Sequence, residues 1–243
     1  MLDNVKIDQL ISAIQQSKEY LGLMNKTQVL NNRKLKETAT RGSHTDEVAD
    51  VSKRIIEALE DAGIREDAEG RKINPQLAEL MGMAHDLGHT PYGHDGEAKI
   101  NKFLESMEAS QEYLDKRRKN FGDKYEDEQL AKFEKEKAKN PSLTRTMQFE
   151  HNEHSAEVFL KICEEQGIDK SEVQDIVTGI LAHSTSRVKN LPATLEQQAV
   201  RLADKIAYIN RDNFDMLNER NINNGRYARR FKRFCNANSR RKN

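Results

Sequence analysis

Tryptophan is absent from these 243 residues, and cysteine, proline and glycine are few, at two, four and twelve. Cys163 and Cys235 lie far apart and without metal-ligand spacing, so neither a disulfide framework nor a zinc ribbon is expected. No apolar run approaches the roughly 20 residues that cross a bilayer. The first residues show no basic segment followed by a long apolar one, so no signal peptide is expected and a cytoplasmic setting is the natural reading. Internal repeats and a Gly-rich phosphate loop are also missing. Charge of one sign is not in excess: 40 basic residues balance 40 acidic ones, so net charge says nothing about partners.

What remains is rich in Glu, Lys, Leu and Ala, which favours helix. Val48, Val51, Ile55 and Leu59 recur at spacings of three and four over 45–62, with Gly63 as a stop. Asn74-Pro75 reads as a cap and first-turn proline, and Leu77, Leu80, Met81 and Ala84 carry the stripe towards Gly88. Further helical periods cover 96–108, 153–166 and 171–183. Thr194 with Gln197 reads as a capping box opening a helix through Leu202, Ile206 and Ile209. No alternating strand pattern is evident, and the expected fold is all-α.

Two regions differ. Residues 105–140 hold 19 charged side chains of both signs and few aliphatic ones, within an insertion spanning about 105–147. This reads as a solvated helical hairpin or a mobile insertion rather than a Gly/Ser linker. Residues 226–243 hold eight basic side chains and no acid, which sets a tail, 221–243, apart from a domain over 1–220. Tyr227, Phe231 and Phe234 interleave with the charges, so a salt-sensitive nucleic-acid contact through 226–242 is a rival reading from another class.

The seven histidines are His44, His85, His89, His94, His151, His154 and His183, and three of them fall within ten residues. A lone histidine is usually a surface or satisfied core residue, but a His-Asp pair at a helix end amid such clustering favours a metal. Imidazole and carboxylate together suit Mn²⁺, Fe²⁺, Co²⁺, Ni²⁺ or Zn²⁺, while Mg²⁺ prefers oxygen. Adjacent helical positions diverge by about 100°, so other helices must complete a site begun by His85 and Asp86. His44 is one candidate. Asp204, inside the apolar run Leu202–Tyr208, is another, because a carboxylate there needs a partner.

The ordered words Lys26-Thr-Gln-Val29, Arg41-Gly-Ser-His44, His85-Asp-Leu-Gly-His-Thr-Pro-Tyr-Gly-His-Asp-Gly-Glu97, Phe149-Glu-His-Asn-Glu153 and Thr194 through Asp212 carry a resemblance. Together they resemble the HD-domain deoxynucleoside triphosphate triphosphohydrolases, over roughly 20–215, with the charged insertion between blocks. The resemblance implies an HD-domain helical bundle in which His44, His85, Asp86 and Asp204 hold a divalent metal. It implies that His94 is the general acid for the departing 5′ oxygen, that Glu97 orients it, and that His89 and His151 face the phosphates. His94 and Glu97, three apart, would share a helix face.

Arg41 and Lys205 match phosphate contacts. Gln28 and Asp212 match the deoxyribose, and Tyr208 continues the Asp204 face. The roles of His154 and His183 stay open between packing and the site; in some HD enzymes, histidines such as His151 and His183 bind a second metal. The implied reaction is hydrolysis at the α-phosphorus of a deoxynucleoside triphosphate, dGTP favoured, giving deoxynucleoside and tripolyphosphate. A different nucleotide phosphoester is the rival substrate. In the family, helices beyond the Asp212 block build the base pocket and homo-oligomer contacts; this sequence is Asn-rich and basic there, so base preference and assembly carry over least.

Overall fold

The structure, a computed structural model, describes residues 2–26, 40–183 and 194–219, with side chains in the last segment as far as Ile209. Gln28, Cys235 and the basic tail lie outside the described residues. The chain divides into two compact units, residues 1–203 and 204–243. The described residues are helical, with no β-strand beyond two isolated bridges, Glu66 with Lys72 and Glu108 with Thr146. No described helix is long and apolar enough to cross a membrane.

Two N-terminal helices go beyond the periods read from the sequence. α1 (Asn4–Gln16) is capped by Asp3 and buries Ile7, Leu10 and Ile14; α2 (Lys18–Met24) is capped by Ser17 and buries Leu23. α3 (Arg41–Asp61) starts four residues earlier than its apolar period, because Thr40 and Ser43 form a reciprocal capping box. That extra turn places Arg41 and His44 at the helix entrance. α4 (Pro75–Ala84) starts as expected, with the Asn74 side chain accepting from the Gln76 and Leu77 amides and Pro75 at the first position.

α3 and α4 pack as a close pair. A Cβ added at Gly82 would stand 2.6 Å from the Ala49 Cα, so glycine is what allows the approach. Behind them Ile56, Ile73, Ala78 and Ala199 form a buried apolar cluster with Leu195 and Leu59 against it. α5 (Gly93–Leu104) follows the His85-Asp86 turn, α8 (His151–Glu165) and α9 (Gln174–Ala182) pack together, and α10 (Leu195–Glu219) begins in the first unit. The α10 capping box forms as read: Thr194 Oγ1 accepts from the Gln197 amide at 3.2 Å, and Gln197 Oε1 accepts from the Thr194 amide at 3.3 Å.

The charged insertion is a helical hairpin, α6 (Gln111–Phe121) and α7 (Asp123–Lys137). Its stem is a short antiparallel pairing in which the Met147 amide donates to the Met107 carbonyl at 2.8 Å and the Ala109 amide donates to the Arg145 carbonyl at 2.9 Å. The expected helical hairpin is there and most of its side chains are exposed, but one charged cluster departs from a solvated face. Arg117 and Glu126 are buried, at 8% and 1% exposure, because they meet Glu153 of α8. Arg117 Nη2 donates to Glu153 Oε1 at 2.7 Å, Nη1 pairs with Oε2 of the same carboxylate, and Nε donates to Glu126 Oε2 at 2.9 Å. Arg145 pairs with Glu126, and the Tyr125 hydroxyl donates to Glu153 at 2.8 Å. These contacts hold the hairpin against the first turn of α8, which also carries His151.

Candidate metal centre

Five helices of the first unit, α3, α4, α5, α8 and α9, bring histidines to one place. The α4 helix ends at His85, and the turn Asp86-Leu87-Gly88-His89 doubles back against α8. Only glycine fits at 88: an added Cβ would lie 2.4 Å from the Ser155 nitrogen. The Gly88 amide donates to Ser155 Oγ at 2.9 Å, and that hydroxyl donates to the His151 carbonyl at 2.7 Å. The chain then enters α5 through Tyr92, a left-handed non-glycine residue at φ 68°, and Gly93. This turn lets His94 and Glu97 face back towards His89.

His44, His85 and Asp86 form one buried group whose ligand atoms all lie within 4.8 Å of one another. Asp86, His151 and His183 form a second buried group, and His89, His94 and His151 a third. Hydrogen bonds fix the tautomers of the rings nearest Asp86. His85 Nδ1 lies 2.6 Å from the Gly82 carbonyl and His183 Nδ1 lies 2.6 Å from the Ile180 carbonyl. A carbonyl only accepts, so Nδ1 carries the proton and Nε2 presents a lone pair. His85 Nε2 then stands 3.7 Å from Asp86 Oδ2, and His183 Nε2 stands 3.7 Å from Oδ1. His85 Nε2 is buried without a hydrogen-bond partner.

Two nitrogen lone pairs facing one carboxylate are mutually repulsive in a dry site unless a cation joins them. A divalent metal fits this donor set. Borderline ions such as Mn²⁺, Fe²⁺, Co²⁺, Ni²⁺ or Zn²⁺ suit mixed imidazole and carboxylate ligands, and Mg²⁺ suits the carboxylate alone.

The electrostatics agree. Burial opposes the charged form of Asp86, and the positive charge of Arg41 is among the neighbours that hold the carboxyl well below its usual range. Arg41 Nη1 donates to Asp86 Oδ2 at 3.1 Å. Burial, and then the neighbouring His85, lower His183 to about 4, and burial lowers His89 to about 3, so both rings are neutral at pH 7. Lys26 Nζ donates to the His89 carbonyl at 2.9 Å, and burial together with Arg41 lowers its pKa. Two cations thus stand on one side of the cluster.

The residues singled out from the sequence divide into four sets. His44, His85, Asp86, His89, His94, Glu97, His151, His183 and Arg41 meet in the first unit. Asp204, Lys205, Tyr208 and Asp212 lie on α10 in the second unit. Gln28 is outside the described residues. His154 stays apart: it is exposed, with its Nδ1 3.8 Å from Glu157, and Phe149 packs on its ring. The sequence reading missed the nearer partner of Glu97. Glu97 Oε2 accepts from His151 Nδ1 at 2.9 Å, against 3.6 Å to His94 Nδ1, since His151 arrives from α8 while His94 is mostly solvent-exposed. It missed Lys26 as well, although that residue opens a quoted word.

The HD-domain signature matches residues 41–133, from the first turn of α3 into the hairpin. Residues 41–133 therefore carry an HD domain. The chain is 31% identical over 204 residues to a deoxyguanosinetriphosphate triphosphohydrolase-like protein of Caldanaerobacter subterraneus, covering 84% of this chain and 43% of that relative. A protein of the same description from Clostridium perfringens is 31% identical over 197 residues, covering 81% and 42%. One from Geobacter sulfurreducens is 30% identical over 201 residues, covering 77% and 38%. The chain spans about two fifths of the length of these relatives.

Proposed function

We propose that the chain is a metal-dependent phosphohydrolase acting on deoxynucleoside triphosphates, dGTP among them, and releasing tripolyphosphate. The observation that carries this reading is the Asp86 carboxylate, with bare imidazole nitrogens on both sides and Arg41 and Lys26 beside it. Such a centre binds a divalent ion and an anion together. The likeness to proteins described as deoxyguanosinetriphosphate triphosphohydrolase-like supports the substrate class.

His44, His85 and Asp86 hold the ion. When bound, a divalent ion polarises a phosphoryl oxygen and lowers the pKa of water. Arg41 and Lys26 bind phosphate oxygens and spread developing charge. His89 lies beside the phosphate. His151, oriented by Glu97, faces the attacked phosphorus. Water attacks the α-phosphorus, the bond from phosphorus to the 5′ oxygen breaks, and His94 gives that oxygen its proton. Glu97 Oε2 stands 3.6 Å from His94 Nδ1, within reach to orient the ring. The fourth ligand Asp204, the phosphate contact Lys205, and the sugar and base contacts Tyr208, Asp212 and Gln28 are carried over from sequence resemblance alone.

The test incubates purified protein and Mn²⁺ or Mg²⁺ with each dNTP and with GTP, and separates the products by anion exchange. Deoxynucleoside with intact tripolyphosphate supports the reading. Monophosphate with pyrophosphate, or turnover only of another phosphoester, overturns it. GTP is expected to turn over about a hundredfold more slowly than dGTP, or slower still, because filling the 2′ position costs several kcal/mol of transition-state binding.

A further inference from the structure

Beside the Asp86 centre, His89, His94 and His151 bring three imidazoles together with no carboxylate among the ligand atoms. His89 and His151 stack at 4.5 Å between centroids, and His94 meets His151 at 5.6 Å. The tautomers are set here too. His151 Nδ1 donates to Glu97 at 2.9 Å, and His89 Nδ1 lies 3.3 Å from the Thr90 carbonyl, so Nε2 of each is left as a lone pair. A carboxylate holding the remote nitrogen of an imidazole is the usual support of a metal-ligating histidine. Glu97 supplies it to His151 and stands 3.6 Å from His94.

The surroundings favour a cation. A groove of about 480 Å³ opens on His94 and His151, and Glu97, Glu105 and Glu150 line it without any lysine or arginine. A hydrated cation is drawn along such a surface, and a free phosphate is repelled.

We infer that His89, His94 and His151 form a binding site for one divalent ion of the zinc class, separate from the His44–His85–Asp86 centre. Three imidazole ligands suit Zn²⁺, Co²⁺, Ni²⁺ or Cu²⁺ and discriminate against Mg²⁺. Two imidazole nitrogens on one tetrahedral ion stand about 3.4 Å apart, so a span of up to 4.8 Å must shrink a little. Exposed His94 can make that movement. Among the described residues, the competing position for a second ion is Asp86–His151–His183. Its three residues are all buried, and its carboxylate is the one that serves the first centre. An ion on the three imidazoles occupies the His94 lone pair, so it excludes the proton-donating role and inhibits hydrolysis supported by Mn²⁺ or Mg²⁺. The site itself does not depend on which phosphoester is hydrolysed.

The test loads the full chain with Zn²⁺ without nucleotide, passes it through gel filtration and measures bound metal. Two equivalents are expected for the unaltered protein and one for His94→Gln, whose side chain is exposed and whose replacement leaves the packing intact. The equivalent kept by His94→Gln should vanish on adding Asp86→Ala. Glu97→Gln should weaken the second equivalent by about 10- to 100-fold. Cobalt gives an independent readout: the His94-dependent equivalent should show the intense visible absorption of a nitrogen-rich, low-coordinate ion. One equivalent in the unaltered protein, or two retained by His94→Gln, overturns the inference. Loss of the second equivalent in helical His183→Ala, with His94→Gln unaffected, moves the ion to the Asp86 side and overturns it equally. Because no nucleotide is present, failure of the hydrolysis reading leaves this result unaffected.

Discussion

Two buried polar clusters lie at the first turn of α8, and they solve the cost of burial differently. On one side Arg117, Arg145 and Tyr125 surround Glu126 and Glu153, and every carboxylate meets a cationic or hydroxyl donor. On the other, Asp86 has Arg41, but the nearest ring nitrogens are lone pairs, and His85 Nε2 has no partner. The first cluster is complete within the chain and serves to fix the hairpin. The second leaves a buried ring nitrogen unmet and could hold an ion. Unsatisfied buried groups mark the site for chemistry, and satisfied ones mark the support that holds it.

Breaking each cluster should give opposite signatures. The largest effect is expected from Asp86→Ala, which removes the carboxylate shared by the ring nitrogens. Retained metal and hydrolysis should fall to background while circular dichroism stays helical. Unchanged turnover by that variant would sink the assignment of the centre.

Arg117→Ala comes next. It leaves Glu126 and Glu153 buried without their main cation and should cost about 3–5 kcal/mol of stability. Denaturant unfolding measures this, and a loss below about 1 kcal/mol would show that the network is solvated. Metal bound at the Asp86 centre should survive under conditions where the variant stays folded.

His94→Ala touches neither cluster's packing. It should keep the ion at Asp86 and lose roughly two to four orders of magnitude in turnover. A substrate with a nitrophenyl leaving group needs little protonation and should partly rescue it, but not Asp86→Ala. Equal failure of both variants on that ester would remove His94 as the acid. The smallest effect is expected for Tyr125→Phe, which deletes one hydrogen bond to a buried carboxylate and should cost about 1.5 kcal/mol with no change in metal content.

The unsatisfied cluster was the more legible of the two in the sequence. His85 and Asp86 are adjacent, and His89 and His94 follow within one turn-rich word, so local spacing exposed them. The caps at Asn74-Pro75 and Thr194 with Gln197 were legible for the same reason. Arg117, Glu126 and Glu153 were not, because charges nine and 36 residues apart read as a solvated face until the hairpin docks. The partnership of Glu97 with His151 spans 54 residues and was equally hidden behind the local pairing with His94. His183 was noted only as a candidate; its place beside Asp86 depends on how α8 and α9 pack. Long-range pairing of charges has no period that a sequence displays.

The central claim is that the cluster around Asp86 is completed by a divalent ion, and linkage between ion and stability tests it directly. Unfolding of the chain should be followed with and without Mn²⁺, in parallel with Asp86→Asn. At a hundredfold excess over the dissociation constant, the ion should add about 2.7 kcal/mol to the unaltered protein, saturably, and nothing to the variant. No stabilisation, or an equal gain in Asp86→Asn, would contradict the account.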